Sequence, residues 1–210
     1  MKRFEGKVAM VTGGNSGIGL AAAKAFAREG AQVAVTGRDE GTLKNAEKEI
    51  GSSALAIRAD AARIADLDAA MAKVRDQFKR IDALFVNAGI GKFVPIAEVT
   101  EAMFDEIVTI NLKGAFFTVQ KALPLMARGS AVVLNASINA HIGLPGTTVY
   151  GATKAAVVNM AKTMSADLAE RASASMRLVR GQSKHRFSVA QGFPANRVAR
   201  QRSGYKTKRW

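Results

Sequence analysis

The chain has 210 residues, 48% hydrophobic and 23% charged, enough for one sizeable core and too few to require two domains. With no cysteine and two scattered histidines it has no disulfide framework and no thiolate metal site, and no metal centre is expected. The formal net charge of +14 would suit a polyanion-binding protein, but residues 1–171 hold 21 Lys and Arg against all 17 Asp and Glu, while residues 172–210 hold 10 Lys and Arg and no acid.

In chain order, the apolar run 8–11 is too short for a signal peptide and leads straight into glycines. No later stretch approaches membrane-spanning length, so an intracellular, cytoplasmic protein without a membrane span is expected. A first strand over 7–12 runs into Thr12-Gly13-Gly14-Asn15-Ser16-Gly17-Ile18-Gly19 and then a helix over 17–29. Strand, glycine turn and helix in that order suit a dinucleotide. Gly13 permits a tight turn, Gly17 lets the backbone approach a pyrophosphate, Gly19 allows close helix packing, and the helix N-terminus offers free N–H groups and positive potential.

The second strand, 32–36, ends in Thr36-Gly37-Arg38-Asp39. An acid at such a strand tip bonds a ribose 2′-hydroxyl, whereas an arginine accommodates a 2′-phosphate, so Gly37 followed by Arg38 favours NADP(H) over NAD(H). The competing reading makes Arg38 a solvated surface residue and Asp39 the cap of the next helix, over 40–50. Further strands are expected over 54–58, 83–87 and 131–136, and helices over 63–79, 101–127 and 150–170, with Thr100 capping the helix that opens at Glu101. Strand-length apolar runs alternating with helical periods give an α/β class, a doubly wound parallel sheet of the Rossmann type in a single domain over 1–171.

Tyr150 and Lys154 stand four residues apart at the start of the last helix, on one face about one turn apart. A phenol is a poor base at neutral pH, and an adjacent ammonium stabilises its phenolate, so the pair suits giving a proton to a carbonyl oxygen or removing one from an alcohol. His141 lies where substrate loops run but reads more simply as a loop residue, and Phe116, Phe117 and Met126 read as core or subunit interface.

Together these residues resemble the short-chain dehydrogenase/reductase family in its Thr-Gly-x-x-x-Gly-x-Gly and Tyr-x-x-x-Lys form. Asn87-Ala88-Gly89 resembles its Asn-Ala-Gly after the fourth strand, Asn111 stands at its helix asparagine, Ser137 precedes Tyr150 by thirteen residues, and Asp60 follows the third strand as its adenine-contacting acid does. The resemblance covers about residues 5–171. It implies an NAD(P)-dependent oxidoreductase that moves a hydride between the nicotinamide and a small carbonyl or alcohol. Tyr150 would be the acid/base, Lys154 would stabilise its phenolate and bond the nicotinamide ribose, Ser137 would hydrogen-bond the reacting oxygen, and Asn111 would hold a relay water. Gly13, Asn15, Ser16, Gly17, Ile18 and Gly19 would cradle the dinucleotide, with Arg38, Asp60, Ala61, Ala88 and Gly89 lining it and Asn87 tying strands together. The resemblance also implies a homodimer through the helices over 101–127 and 150–170.

Past Arg171 the family pattern stops: no Pro-Gly turn or seventh strand is recognisable, and 172–210 lacks acids and sustained periodicity. A truncated or frame-shifted C-terminus is expected from about residue 172, with a poorly ordered basic tail, a strand at most over 176–179, missing C-terminal strands, and the fifth strand left as an apolar edge. A second assembly interface is expected to be lost with them, giving a dimer rather than a tetramer. The alternative functional reading is a relative that binds dinucleotide without turnover. A nucleic-acid-binding role for the tail is disfavoured, because its four aromatics show no regular stacking pattern.

Overall fold

The five apolar runs fold as strands β1 (Val8–Val11), β2 (Gln32–Gly37), β3 (Ala54–Arg58), β4 (Ala83–Val86) and β5 (Ser130–Asn135), each end within one residue of expectation. The computed structural model describes residues 2–169 and, beyond them, the backbone of 174–179, which forms a sixth strand, β6 (Ala174–Val179). All neighbours pair in parallel in the order β3-β2-β1-β4-β5-β6. The order turns back between β1 and β4, so the loops leaving those two strands diverge and open a crevice at their C-terminal ends.

Alternation along the strands divides the core in two. Met10 of β1, Ala34 of β2, Leu84 of β4 and Val132 and Leu134 of β5 face helices α3 (Ile64–Phe78), α5 (Ala115–Ala122) and α6 (Thr148–Ala169), through Val74, Val119 and Met160 among others. Ala9 and Val11 of β1 with Val33 and Val35 of β2 face α1 (Gly17–Arg28) and α2 (Glu40–Ile50), through Ala23 and Leu43. A period of two with both faces buried is what a sheet covered by helices requires.

The caps behave as the sequence suggests. Asp39 accepts from Thr42 N at 2.7 Å and closes the start of α2, and Thr100 accepts from Met103 N at 3.2 Å at the start of α4 (Glu101–Val108).

Two expectations are corrected. The helix read as continuous over 101–127 is broken: α4 passes into a π-helical turn, Thr109–Gly114, before α5, and a 3-10 turn at Leu123–Leu125 containing Pro124 follows. The π turn accommodates an extra residue and swings Asn111 toward the β4 loop, where its Oδ1 accepts from Ile90 N at 2.8 Å and its Nδ2 donates to Ile90 O at 2.9 Å. At the same turn, Gly114 lies so close to the β3–α3 loop that a Cβ there would stand 2.5 Å from Ala61 O. Secondly, β5 is not an edge. β6 pairs with it from Ser130↔Ala174 to Asn135↔Val179, so the outer N–H and C=O groups of β5 have a partner strand. The expectations for a disordered tail, a lost seventh strand and the remainder of 172–210 fall outside the described residues.

Candidate active site

Three segments converge at the crevice. The turn after β1 is shaped by Gly13 and Gly17, whose φ angles of 62° and 52° belong to the left-handed region. A Cβ on Gly17 would meet nothing within 4 Å, so that backbone faces open space, whereas one on Gly19 would lie 2.1 Å from Gly13 O. Gly19 therefore packs the helix onto its own turn. Ser16 is the N-cap position of α1 but makes no side-chain capping bond.

The turn is fixed from the next strand. Thr12 Oγ1 accepts from Asn87 N at 3.0 Å and Ala88 N at 3.1 Å, while Asn87 Nδ2 donates to the carbonyls of Thr12 and Gly13, each at 3.1 Å. Asn135 at the end of β5 extends the chain of bonds, donating its Nδ2 to Asn87 Oδ1 at 2.9 Å and offering its carbonyl to Lys154 Nζ at 2.7 Å. One network thus joins the glycine turn to α6 across three strands.

Lys154 is 6% exposed. Burial without a carboxylate partner disfavours its charged form and lowers its pKa from 10.5 to about 8. Its Nζ lies 5.8 Å from the centroid of the Tyr150 ring, and Phe93 packs on the same ring at 5.5 Å and 88°. Ser137 sits at the end of β5 with its Oγ accepting from Asn139 N at 3.2 Å, which leaves its own O–H to donate.

At the far end, Arg38 is 59% exposed at its side chain and only loosely paired, 3.9 Å from Asp60 Oδ2. Asp60 Oδ1 accepts from Ala62 N at 2.9 Å, holding the loop after β3. Gly37 packs against Asn15: a Cβ there would stand 2.5 Å from Asn15 Cγ, so the Asn15 side chain, which donates to Thr42 Oγ1 at 2.8 Å, would have to shift. The only nearby acid in the strand tip, Asp39, is engaged in capping α2, and that hydrogen bonding from Thr42 holds its carboxyl below the usual range.

A cavity of about 630 Å³ runs between these ends, within the range of small-molecule sites. It is lined by the expected Gly13, Asn15, Ser16, Gly17, Ile18, Arg38, Asp60, Ala61, Asn87, Ala88, Gly89, Tyr150 and Lys154. Gly19, Asn111 and Ser137 do not line it. Asn111 lies beneath, bonded to Ile90 and, at 3.3 Å, to Thr153 Oγ1. Thr36, Gly37 and Asp39, of the strand tip weighed above for cofactor preference, line the cavity too, and sequence reasoning missed Ala59, Ile90, Gly91, Ile110 and Asn135. Adjacency to named residues was the only clue to them.

The cavity fits a nicotinamide dinucleotide on its own features: a helix N-terminus and open glycine backbone in the middle, a loosely paired guanidinium at one end, and at the other the Lys154 amine, which donates to Asn135 O. Among the described residues, no helix is long and apolar enough to cross a membrane.

Comparison with known proteins agrees. The family model described as short chain dehydrogenase matches residues 7–177. An oxidoreductase of Sarocladium schorii is 39% identical over 170 residues, covering 80% of this chain and 68% of that protein. A galactitol 2-dehydrogenase of Agrobacterium fabrum is 37% identical over 170 residues, covering 80% and 66%. The structure of a 3-ketoacyl-(acyl-carrier-protein) reductase from Brucella melitensis, complexed with NADH, superposes with a TM-score of 0.79 at 34% identity, over 84% of this chain and 76% of that one. The chain thus spans about two thirds of the length of the curated relatives it matches. On the matched residues and the shared fold, the chain belongs to the short-chain dehydrogenase family.

Proposed function

We propose that this protein is an NADP(H)-preferring oxidoreductase acting on a small carbonyl or alcohol, with Tyr150 as its acid/base, and that it works in the cytoplasm. The observation that carries the reading is the placement of Tyr150 and Lys154 at one end of a single cavity whose other end is the glycine turn and Arg38. When bound, the nicotinamide supplies or accepts the hydride. Tyr150 gives its phenolic proton to the carbonyl oxygen in reduction and takes it back in oxidation. Lys154, whose Nζ donates to Asn135 O, would offer its remaining N–H groups to the ribose hydroxyls of a bound nucleotide and its charge to the phenolate. Ser137, just past β5, would donate a hydrogen bond to the reacting oxygen while keeping its proton, and Asn111 acts by holding the loop at Ile90 against α6. The test is an absorbance assay of NADPH and NADH against aldehydes, ketones and quinones. Consumption that requires both nucleotide and carbonyl is expected; tight nucleotide binding with no consumption across the panel contradicts the proposal.

The NADP(H) preference rests on a strand tip without a free acid. Gly37 carries no carboxylate, Asp39 is committed to Thr42, and Arg38 is loosely held. NADPH is expected to bind more tightly than NADH, and Arg38→Ala to weaken NADPH by roughly tenfold or more while sparing NADH, since a charge-assisted contact is worth about 1.5–3 kcal/mol. Competition binding checks this. Equal affinities in the unmutated protein contradict it.

A homodimer through α4, α5 and α6 belongs to the same reading. Phe104 of α4 and Phe116 of α5 are exposed at 48% and 40%, apolar area that a partner's helices would cover. Light scattering is expected to report a dimer, and a stable monomer or tetramer contradicts that.

A further inference from the structure

Phe93 is a partly exposed ring in contact with Tyr150. It is 38% exposed, on the segment between β4 and α4, yet it packs at right angles to Tyr150 with ring centroids 5.5 Å apart. Its position is built rather than incidental. Gly91 leaves space for it, since a Cβ there would lie 3.0 Å from Phe93 Cζ, and Gly91 itself lines the cavity. Next to it, Val94 N donates to Gly146 O at 3.0 Å, which ties this segment to the one that leads into α6. That second segment carries three more exposed apolar residues, Ile138, Ile142 and Leu144, at 36%, 46% and 48%. Residues 90–96 and 137–147 contain no acid and no arginine; the one lysine, Lys92, is ion-paired with Glu106. The surroundings of Tyr150 on these two segments are therefore apolar, apart from the hydroxyl, amide and imidazole groups of Ser137, Asn139, His141 and Thr147.

We infer that Phe93, with Ile138, Ile142 and Leu144, forms an apolar wall beside Tyr150 that selects carbonyl compounds bearing an aromatic or alicyclic ring over polyhydroxylated or charged ones. This rests on the oxidoreductase reading for the role of Tyr150. The physical basis is differential desolvation. A ring gains by leaving water against such a wall, and its faces and edges find partners in Phe93. A polyol loses water hydrogen bonds that four hydrocarbon side chains do not replace.

The test uses the full chain and reads two quantities separately, ketone binding with NADP+ present and ketone-dependent consumption of NADPH in a parallel assay. Saturation-transfer NMR is run with 1-tetralone and with dihydroxyacetone, on the unmutated protein and on Phe93→Leu and Phe93→Ser, with circular dichroism confirming that each variant folds. Tetralone is expected to bind at least about tenfold more tightly than dihydroxyacetone, and Phe93→Ser to weaken it by about tenfold with Phe93→Leu between. Equal binding of the two ketones, or tetralone binding unchanged in a folded Phe93→Ser protein, overturns the wall. Phe93-dependent tetralone binding without NADPH consumption leaves the wall standing and defeats the oxidoreductase reading. Turnover that ignores both ring and Phe93 does the reverse.

Discussion

Replacing Tyr150 by phenylalanine is expected to lower kcat/KM by roughly a thousandfold, within the range of about 10²–10⁴ that a positioned general acid or base contributes. The substitution removes one oxygen and keeps the ring, so the edge-on packing of Phe93 and the position of Lys154 have no reason to change. NADPH affinity should therefore move by less than about threefold, since a nucleotide held along the glycine turn keeps its contacts. Steady-state kinetics with calorimetric NADPH titration separates the two quantities. Retained turnover in Tyr150→Phe would mean that the proton comes from elsewhere.

Lys154→Met is expected to abolish turnover and weaken nucleotide binding while stabilising the free protein at neutral pH. The sign follows from linkage. The folded-state pKa of about 8 lies below the 10.5 of an unperturbed lysine, so between those values the unfolded chain holds more protons than the folded one. Stability of the unmutated protein then rises with pH across that window, and below about 8 the buried charge costs about 3 kcal/mol. Methionine carries no such cost, although Asn135 O loses its donor, an offset of about 1–3 kcal/mol. The stability advantage of the variant should be greatest near pH 7 and fall by about 3 kcal/mol as pH approaches 10.5. Urea unfolding of both proteins across that range measures the difference, and a pH-independent difference contradicts the burial account.

The order of elements was legible because the buried parallel strands are nearly pure apolar runs and because Gly13, Gly17 and Gly19 punctuate the passage from β1 to α1. Tyr150 and Lys154 were legible because a helix converts a spacing of four into a shared face. What escaped notice depends on contacts distant in sequence. The π turn is invisible to periodicity, since α4 and α5 on either side keep helical patterning, and the bonds that Asn111 makes within it reach Ile90, 21 residues away. At Gly37 the sequence leaves the acid's place empty, and the Asn15 side chain that lies beside it comes from a turn 22 residues earlier. Asn135 joins Asn87 to Lys154, and no local pattern marks a residue for that role. β6 is six residues long and carries little apolar alternation of its own, and its place in the sheet shows only through its ladder with β5.

The most direct test of the central claim is isotope transfer. NADPH carrying deuterium at the transferable C4 position is incubated with the protein and a carbonyl substrate found in the absorbance panel, and the alcohol is analysed by mass spectrometry and NMR. Hydride transfer in a cavity organised by Tyr150 and Lys154 predicts one deuterium on the carbinol carbon, none from solvent on that carbon, and loss of the product in Tyr150→Phe. An alcohol that carries solvent hydrogen on that carbon, or one formed equally well by Tyr150→Phe, would contradict it.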